Sequence, residues 1–152
     1  MMGQQIQTSR VRGEMGKTSQ EENILKTSRT VAMVGLSPDE ERPSFRVASY
    51  LKGQGYKVIP VNPRFAQILE ETCYPNLTSI PEKVDVVDVF RRADQIPDIV
   101  EQAIRIGAKV VWMQEGVVNE LAAARARGAG LMVVMDKCMR KEHLKMREKE
   151  VK

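Results

Sequence analysis

The chain has 152 residues, with 24 Lys+Arg against 20 Asp+Glu, a formal net charge of +4, and only three Phe, three Tyr and one Trp. That length suits one domain with its own buried core and is short for a second of ordinary size. The mild positive charge suits an anionic small molecule as well as a nucleic acid, but the few aromatics interleave with no basic stripe, so no nucleic-acid partner is expected.

Cys73 and Cys138 lie far apart and fall in no CxxC or zinc spacing, which points to free thiols in a reducing, cytoplasmic setting. No apolar run is long enough for a bilayer span and no signal-peptide core is present, so no membrane association is expected. Residues 1–18 carry Arg10 and Arg12 ahead of the first acid, without a sustained amphipathic face, and read as a flexible leader.

Ser19 and Glu22 have the spacing of a capping box, which predicts a short helix over 19–26. The run Val31-Ala32-Met33-Val34 then predicts a strand over 30–36, reaching Gly35 at once. Pro43 opens a helix with Val47, Ala48 and Leu51 as its buried stripe and Gly53 or Gly55 as its end. YKVIPV, 56–61, is the second strand, stopped by Asn62-Pro63. Between Arg64 and Pro81 the pattern weakens to a turn of helix over 64–70 and a short edge strand near 72–74.

VDVVDVF, 84–90, is nearly continuous apolar sequence, as expected of a central parallel strand covered on both faces. Asp94 is expected to cap a helix that buries Ile96, Val100, Ala103 and Ile104 and stops before Gly107. KVVWM over 109–113 is a further strand, Asn119 caps a helix over 120–127, and LMVVM over 131–135 is the last strand. From Met139 the chain can form a helix but shows little apolar face, and 144–152 reads as a charged tail. The alternation predicts an α/β fold, a single three-layer Rossmann-like domain over 19–143 on a doubly wound parallel sheet. Such a sheet leaves an edge that a homodimer would cover, although no residue pattern selects one.

In open sheets of this kind ligands sit beyond the carboxyl ends of the strands, where helix N-termini present unpaired amides. A dinucleotide site would want G-x-G-x-x-G after the first strand and an acid ending the second. Here the first loop has Gly35 alone, and the second strand ends in Pro60-Val61-Asn62-Pro63 with Arg64 beyond. No P-loop pattern occurs either. The first loop offers instead the hydroxyls of Ser37 and Ser44, the guanidinium groups of Arg42 and Arg46, and a helix start, a set suited to phosphate. The plainer alternative is that Ser37 and Asp39 only close a turn and the arginines are solvated.

The segments VGLSPDEERPSFRVASYL, GYKVIPVNP, VDVVDVFRRAD, AKVVWMQEGVVNE and MDKCMRKEH, within a stretch over 24–143, resemble the small stand-alone CoA-binding proteins, relatives of the nucleotide-binding domain of the succinyl-CoA synthetase alpha subunit. The resemblance implies coenzyme A lying across the carboxyl edge of the sheet. It implies Gly35, Leu36 and Ser37 beside the pyrophosphate, with Arg42, Ser44 and Arg46 as phosphate partners. Pro60, Val61, Asn62, Pro63 and Arg64 would flank the adenosine end, Phe90, Arg91 and Arg92 would form the opposite wall, and Gln114, Glu115 and Gly116 would line the pantetheine path. The synthetase phosphorylates a histidine of a second domain, whereas the sole histidine here, His143, lies in the charged end and matches no catalytic motif. The synthetase reaction is therefore not expected of this chain alone. The glycine-richer first loop of the synthetase is also replaced by the Ser and Arg-Pro-Ser version of the small proteins.

Trp112 is expected to be buried in its apolar strand, and Met33, Met113, Met132 and Met135 to fill core. Asp85 and Asp88, three apart on a strand, point to opposite faces, so each should cap or sit at the surface and share no acid–base task. Cys138 has Lys137, Arg140 and Lys141 around it, a setting that favours thiolate and disulfide exchange with a thiol ligand; the bland counterpart is an unreactive half-buried cysteine. The leading expectation is non-catalytic binding of coenzyme A or acyl-CoA by a protein that is not an enzyme. The alternatives are the CoA-binding subunit of an acyl-CoA synthetase or transferase completed by a separate partner, and a sensor of NAD or another nucleotide.

Overall fold

The computed structural model describes residues 18–151, so the leader expected over 1–18 lies, Thr18 apart, outside the described residues. Helix α1 (Gln20–Thr27) starts where Ser19 Oγ accepts from the Glu22 N–H and Glu22 Oε1 accepts from the Ser19 N–H, the capping box its spacing predicts. β1 (Thr30–Val34) leads into α2 (Pro43–Gly53), which opens on its proline, and β2 (Lys57–Val61) follows. A two-stranded antiparallel ribbon, β3 (Gln67–Ile68) and β4 (Glu71–Thr72), precedes β5 (Val86–Val89). The chain continues through α3 (Ile96–Arg105), β6 (Val110–Met113), α4 (Glu120–Gly128), β7 (Met132–Val134) and α5 (Met139–Val151).

Five strands form one parallel sheet in the order β2-β1-β5-β6-β7. Alternation along β1 sorts its side chains into two layers. Val31 and Met33 pack with Ile24, Val47, Leu51, Trp112, Met139 and Met146; Ala32 and Val34 pack with Ile96, Val100, Ala103, Ala123 and Ala126. Helices α1, α2 and α5 therefore cover one face and α3 and α4 the other, the doubly wound three-layer arrangement. No helix of the described residues is long and apolar enough to cross a membrane. Since the chain runs from β1 outward to β2 and then returns past β1 to β5, the strand order reverses between β1 and β5, and the loops after these two strands part there.

At that reversal Gly35 adopts φ +89, and a Cβ on it would lie 2.5 Å from the Phe90 carbonyl oxygen. Only a residue without a side chain lets the two loops meet this closely.

Four details differ from the sequence expectations. The helical turn expected over 64–70 is a hairpin turn whose central residues, Leu69 and Glu70, both have positive φ, as a type I′ turn demands but without the Asn-Gly that usually announces it. Lys52 holds it, with Nζ donating to the Leu69 carbonyl at 2.6 Å and lying 3.0 Å from Glu71. Asp94 does not cap α3; it lies in a 3-10 turn, Ala93–Gln95, with its carboxylate 3.4 Å from Arg92 Nε, and this turn rather than a side chain leads into the proline-opened helix. Met132 is 38% exposed instead of core, because β7 is an edge strand.

Asp88 is the fourth. Asp85 does cap, accepting from the N–H groups of Arg29 and Thr30 at 2.8 and 3.0 Å; partial burial opposes its ionisation, but these donors hold its carboxyl below the ordinary range. Asp88 is neither a cap nor at the surface: it is fully buried in the middle of the central strand.

The charged end packs better than its composition suggests. In α5, Met139, His143 and Met146 fall on one stripe and are buried, and the helix lies on α1 and α2. His143 Nδ1 is 2.7 Å from the Tyr50 hydroxyl, its ring edge-on to Tyr50 and Tyr56. Burial and then the nearby Arg147 cation hold its pKa below the ordinary 6.5.

Two outcomes follow. Gly35→Ala should cost about 2–4 kcal/mol, from left-handed strain plus overpacking against backbone, and a denaturant melt unchanged from wild type would refute the close approach. For His143 the folded pKa is depressed, so its contribution is present above about pH 6.5 and is lost as pH falls through the folded value. Thermal midpoints should fall on acidification in wild type and fall less steeply in His143→Gln; equal slopes would show that another group carries the effect.

Candidate functional site

Backbone bonds carry the sheet ladder past the strand ends and bring the loops together. The Gly35 N–H donates to Val61 O at 2.9 Å, Phe90 N–H to Val34 O at 2.9 Å, and Gln114 N–H to Val89 O at 3.4 Å. The first loop is braced from within. Ser44 Oγ accepts from the Ser37 N–H at 3.0 Å, Ser37 Oγ accepts from the Asp39 N–H at 3.0 Å, and Asn62 Nδ2 donates to the Leu36 carbonyl at 3.0 Å while its Oδ1 accepts from the Arg64 N–H. Ser44 and Asn62 are buried by these duties.

Beyond the sheet edge lies a cleft of about 470 Å³. Pro43 and Val47 of α2 form one wall, Phe90, Arg91 and Arg92 after β5 another, and Gln114, Glu115, Gly116 and Val117 after β6 a third, with Cys138 closing it after β7. The Val117 N–H donates to Gln114 O at 2.9 Å, and Asp136 Oδ1 accepts from the Gly116 N–H at 2.7 Å, which ties the third wall to the loop carrying Cys138. Lys141 pairs with Glu115 at 2.9 Å, and that bond raises the lysine pKa. Helix α2 begins at the cleft wall with no side chain bonded across its first turn, so its positive dipole end is left for an anion. A smaller cavity of about 130 Å³ adjoins, lined by Val34, Val61 and Pro63 together with Asn76, Leu77 and Gln102; Arg91 lines both cavities.

The structure thus gathers Phe90, Arg91, Arg92, Gln114, Glu115, Gly116 and Cys138 at one cleft, and Val61 and Pro63 at its neighbour. Gly35, Leu36, Ser37, Ser44, Pro60 and Asn62 shape the floor and the loop instead of lining either cavity. Arg42 and Arg64 are exposed and line neither; Arg42 lies 3.9 Å from Asp39. Arg46, 3.9 Å from Glu41, opens onto a separate shallow groove with Phe45, Ser49, Tyr50 and Arg140.

Pro43, Val47 and Val117 were not expected as lining: Pro43 read as the opening of a helix and Val47 as part of its buried stripe. Nor was Asp88 expected. Its Oδ1 is 2.6 Å from Gln114 Nε2, and its Oδ2 has no partner among the described residues. Burial pushes its pKa up to about 8, with the Gln114 bond pulling the other way. Its signal in the sequence was a carboxylate inside an otherwise apolar strand next to the sheet's carboxyl edge. Gln114, two residues beyond Asp88's register partner Trp112 and on the same face, sits at that edge too. Among the described residues no group of three His, Cys, Asp or Glu is placed to hold a metal ion. The arrangement offers cationic and helix-end contacts to an anion at one end and an apolar, partly polar channel to a slender arm at the other.

The chain is similar to known proteins in sequence and in fold. The model of a CoA binding domain matches residues 29–144. The Bacillus subtilis (strain 168) protein YneT is 38% identical over 120 residues, covering 79% of this chain and 89% of YneT. ADP-forming acetate–CoA ligase II of Archaeoglobus fulgidus is 34% identical over 83 residues, 53% of this chain but 12% of the ligase. The solved structure of a hypothetical protein from Pyrococcus horikoshii OT3 superposes with a TM-score of 0.82 at 38% identity, covering 94% of this chain and 99% of that one. With a family model spanning most of its length and a Rossmann-like sheet whose cleft opens at the strand reversal, this chain belongs to the CoA binding domain family.

Proposed function

We propose that the chain binds coenzyme A or an acyl thioester of it, as a binding protein and not as an enzyme. The observation that carries this is the cationic cleft at the strand reversal, in a family defined by CoA binding. Its volume falls in the range of small-molecule sites. In this reading the adenosine end sits in the smaller cavity against Val61 and Pro63. The pyrophosphate lies over the Gly35 loop between the α2 N-terminus and Arg91, the residue common to both cavities. The pantetheine arm runs along Val47, Phe90 and Gly116, and its sulfur end lies between Gln114 and Cys138. A reducing, cytoplasmic setting fits the two free thiols, Cys73 and Cys138.

A second reading is favoured by the match to a small part of an ADP-forming ligase. Here the chain supplies the CoA site of an acyl-CoA synthetase or transferase and a separate subunit supplies nucleotide chemistry. Recovery of an ATP-grasp-type protein in a pull-down from native cells would support it.

Isothermal titration tests the leading reading. CoA should bind more tightly than dephospho-CoA, and both more tightly than NAD; equal binding of the first two would show the 3′-phosphate is unread, and preference for NAD would overturn the assignment in favour of a nucleotide sensor. Arg91→Ala should weaken CoA binding by about 1.5–3 kcal/mol, the value of a charged hydrogen bond, whereas Arg46→Ala should change it by less than about 0.5 kcal/mol. The reverse ranking would return the phosphate contacts to the first loop. Oxidised CoA should form a mixed disulfide at Cys138, its thiolate attacking the CoA disulfide and releasing one CoA thiol. Mass spectrometry should find the adduct in wild type and not in Cys138→Ser; an adduct that persists in the variant rules the residue out.

A further inference from the structure

Asp88 is an anomaly for a core. It is completely buried, its register neighbours are Met33 on β1 and Trp112 on β6, and the helices over that face contribute Val47, Leu51 and Met139 to the same layer. The titratable groups of that layer are Cys73, Tyr50 and Tyr56, with His143 bonded to Tyr50, and the charged or titratable groups of the cleft are Arg91, Arg92, Glu115 and Cys138, the last also packed against the layer. None of these bonds to Asp88. Among the described residues its single partner is Gln114, itself only 4% exposed and part of the cleft lining, and its second oxygen is unpartnered.

The 2.6 Å separation is short for an amide N–H on a carboxylate and ordinary for an O–H on an oxygen. An amide can turn either end toward such a partner. If the carboxyl carries its proton, it donates to Gln114 Oε1, and the Gln114 NH2 turns toward the cleft as a donor. If it is ionised, it accepts from Nε2 and the cleft meets a carbonyl oxygen.

We propose that Asp88 is a positioning residue that sets the hydrogen-bonding sense of Gln114, so that at neutral pH the cleft presents a donor and prefers a CoA that carries a carbonyl on its sulfur, an acyl thioester, over one that does not. This rests on the CoA reading and specifies its ligand class. The raised pKa of Asp88, about 8, puts the protonated form at neutral pH and the loss of the donor in mildly alkaline solution.

Acetyl-CoA and S-ethyl-CoA differ at the carbonyl, and neither has a free thiol to titrate. Wild type should bind acetyl-CoA about fivefold more tightly near neutral pH, the worth of one hydrogen bond, with the preference fading as pH rises through about 8. Asp88→Asn, whose NH2 donates to Gln114 Oε1 at every pH, should keep the preference and lose the fading. In ligand-free wild type, the Asp88 carboxyl carbon and the Gln114 side-chain amide signals should titrate together by NMR, which decides the matter even if the variant fails to fold. Binding without preference, fading that survives in Asp88→Asn, or uncoupled titration overturns the inference while leaving CoA binding intact. Coupled titration with no binding of either ligand overturns the CoA reading itself, and with it the role given to Gln114.

Discussion

The approach of Gly35 to the carbonyl of Phe90 fixes where everything else can be. At this contact the loops after β1 and β5 leave the sheet on diverging paths, while the Gly35 N–H and the Val34 carbonyl stay bonded to β2 and to the Phe90 amide. Three strand ends are thereby stitched at one peptide unit, Val34–Gly35. A side chain there would force the loops apart and shift the Phe90–Arg92 wall, because the obstacle is backbone and cannot swing aside. The crevice is thus a property of packing at the switch point and not of any one binding residue.

What fills the crevice follows from the way that point is built. A dinucleotide fold uses several glycines to lay backbone on a pyrophosphate and an acid at the end of the second strand to take a ribose diol. Here the first loop has one glycine, and the uncapped start of α2 and the Arg91 guanidinium lie at the cleft. In place of the acid stands Asn62, whose amide is committed at both ends, to Leu36 O and the Arg64 N–H. The residue that would greet a ribose has become a brace for the first loop.

Polar groups inside the helix-covered layers are few and placed to different ends. His143 gives α5 a directional tie to Tyr50 that aliphatic packing would lack, and Lys149, 2.9 Å from Glu22, closes the same helix onto α1. Asp88 lacks this completeness, since half of its carboxylate is unsatisfied within a low-dielectric layer. A stability-driven core would replace it with an aliphatic residue, so its position beneath a cleft residue is better read as serving the site.

The sequence by itself determined the order of the main strands and helices, the parallel doubly wound sheet and the family, because apolar period, a capping box and turn residues are local signals that the tertiary structure reinforced at Ser19, Pro43 and Asn119. It also named most of the cleft after β5 and β6, since those loops must leave the sheet at its carboxyl edge. Tertiary structure decided which cations reach the cleft: Arg42 on the Ser37 loop and Arg46 in the first turn of α2 line neither cavity, whereas Arg91 arrives after another strand. It also decided the fate of Asp88 and His143, because local sequence shows that a group is polar but only packing sets its solvent access and its partner. The Leu69-Glu70 turn was invisible for a related reason: Lys52, seventeen residues earlier, holds a backbone shape that its own residues do not favour.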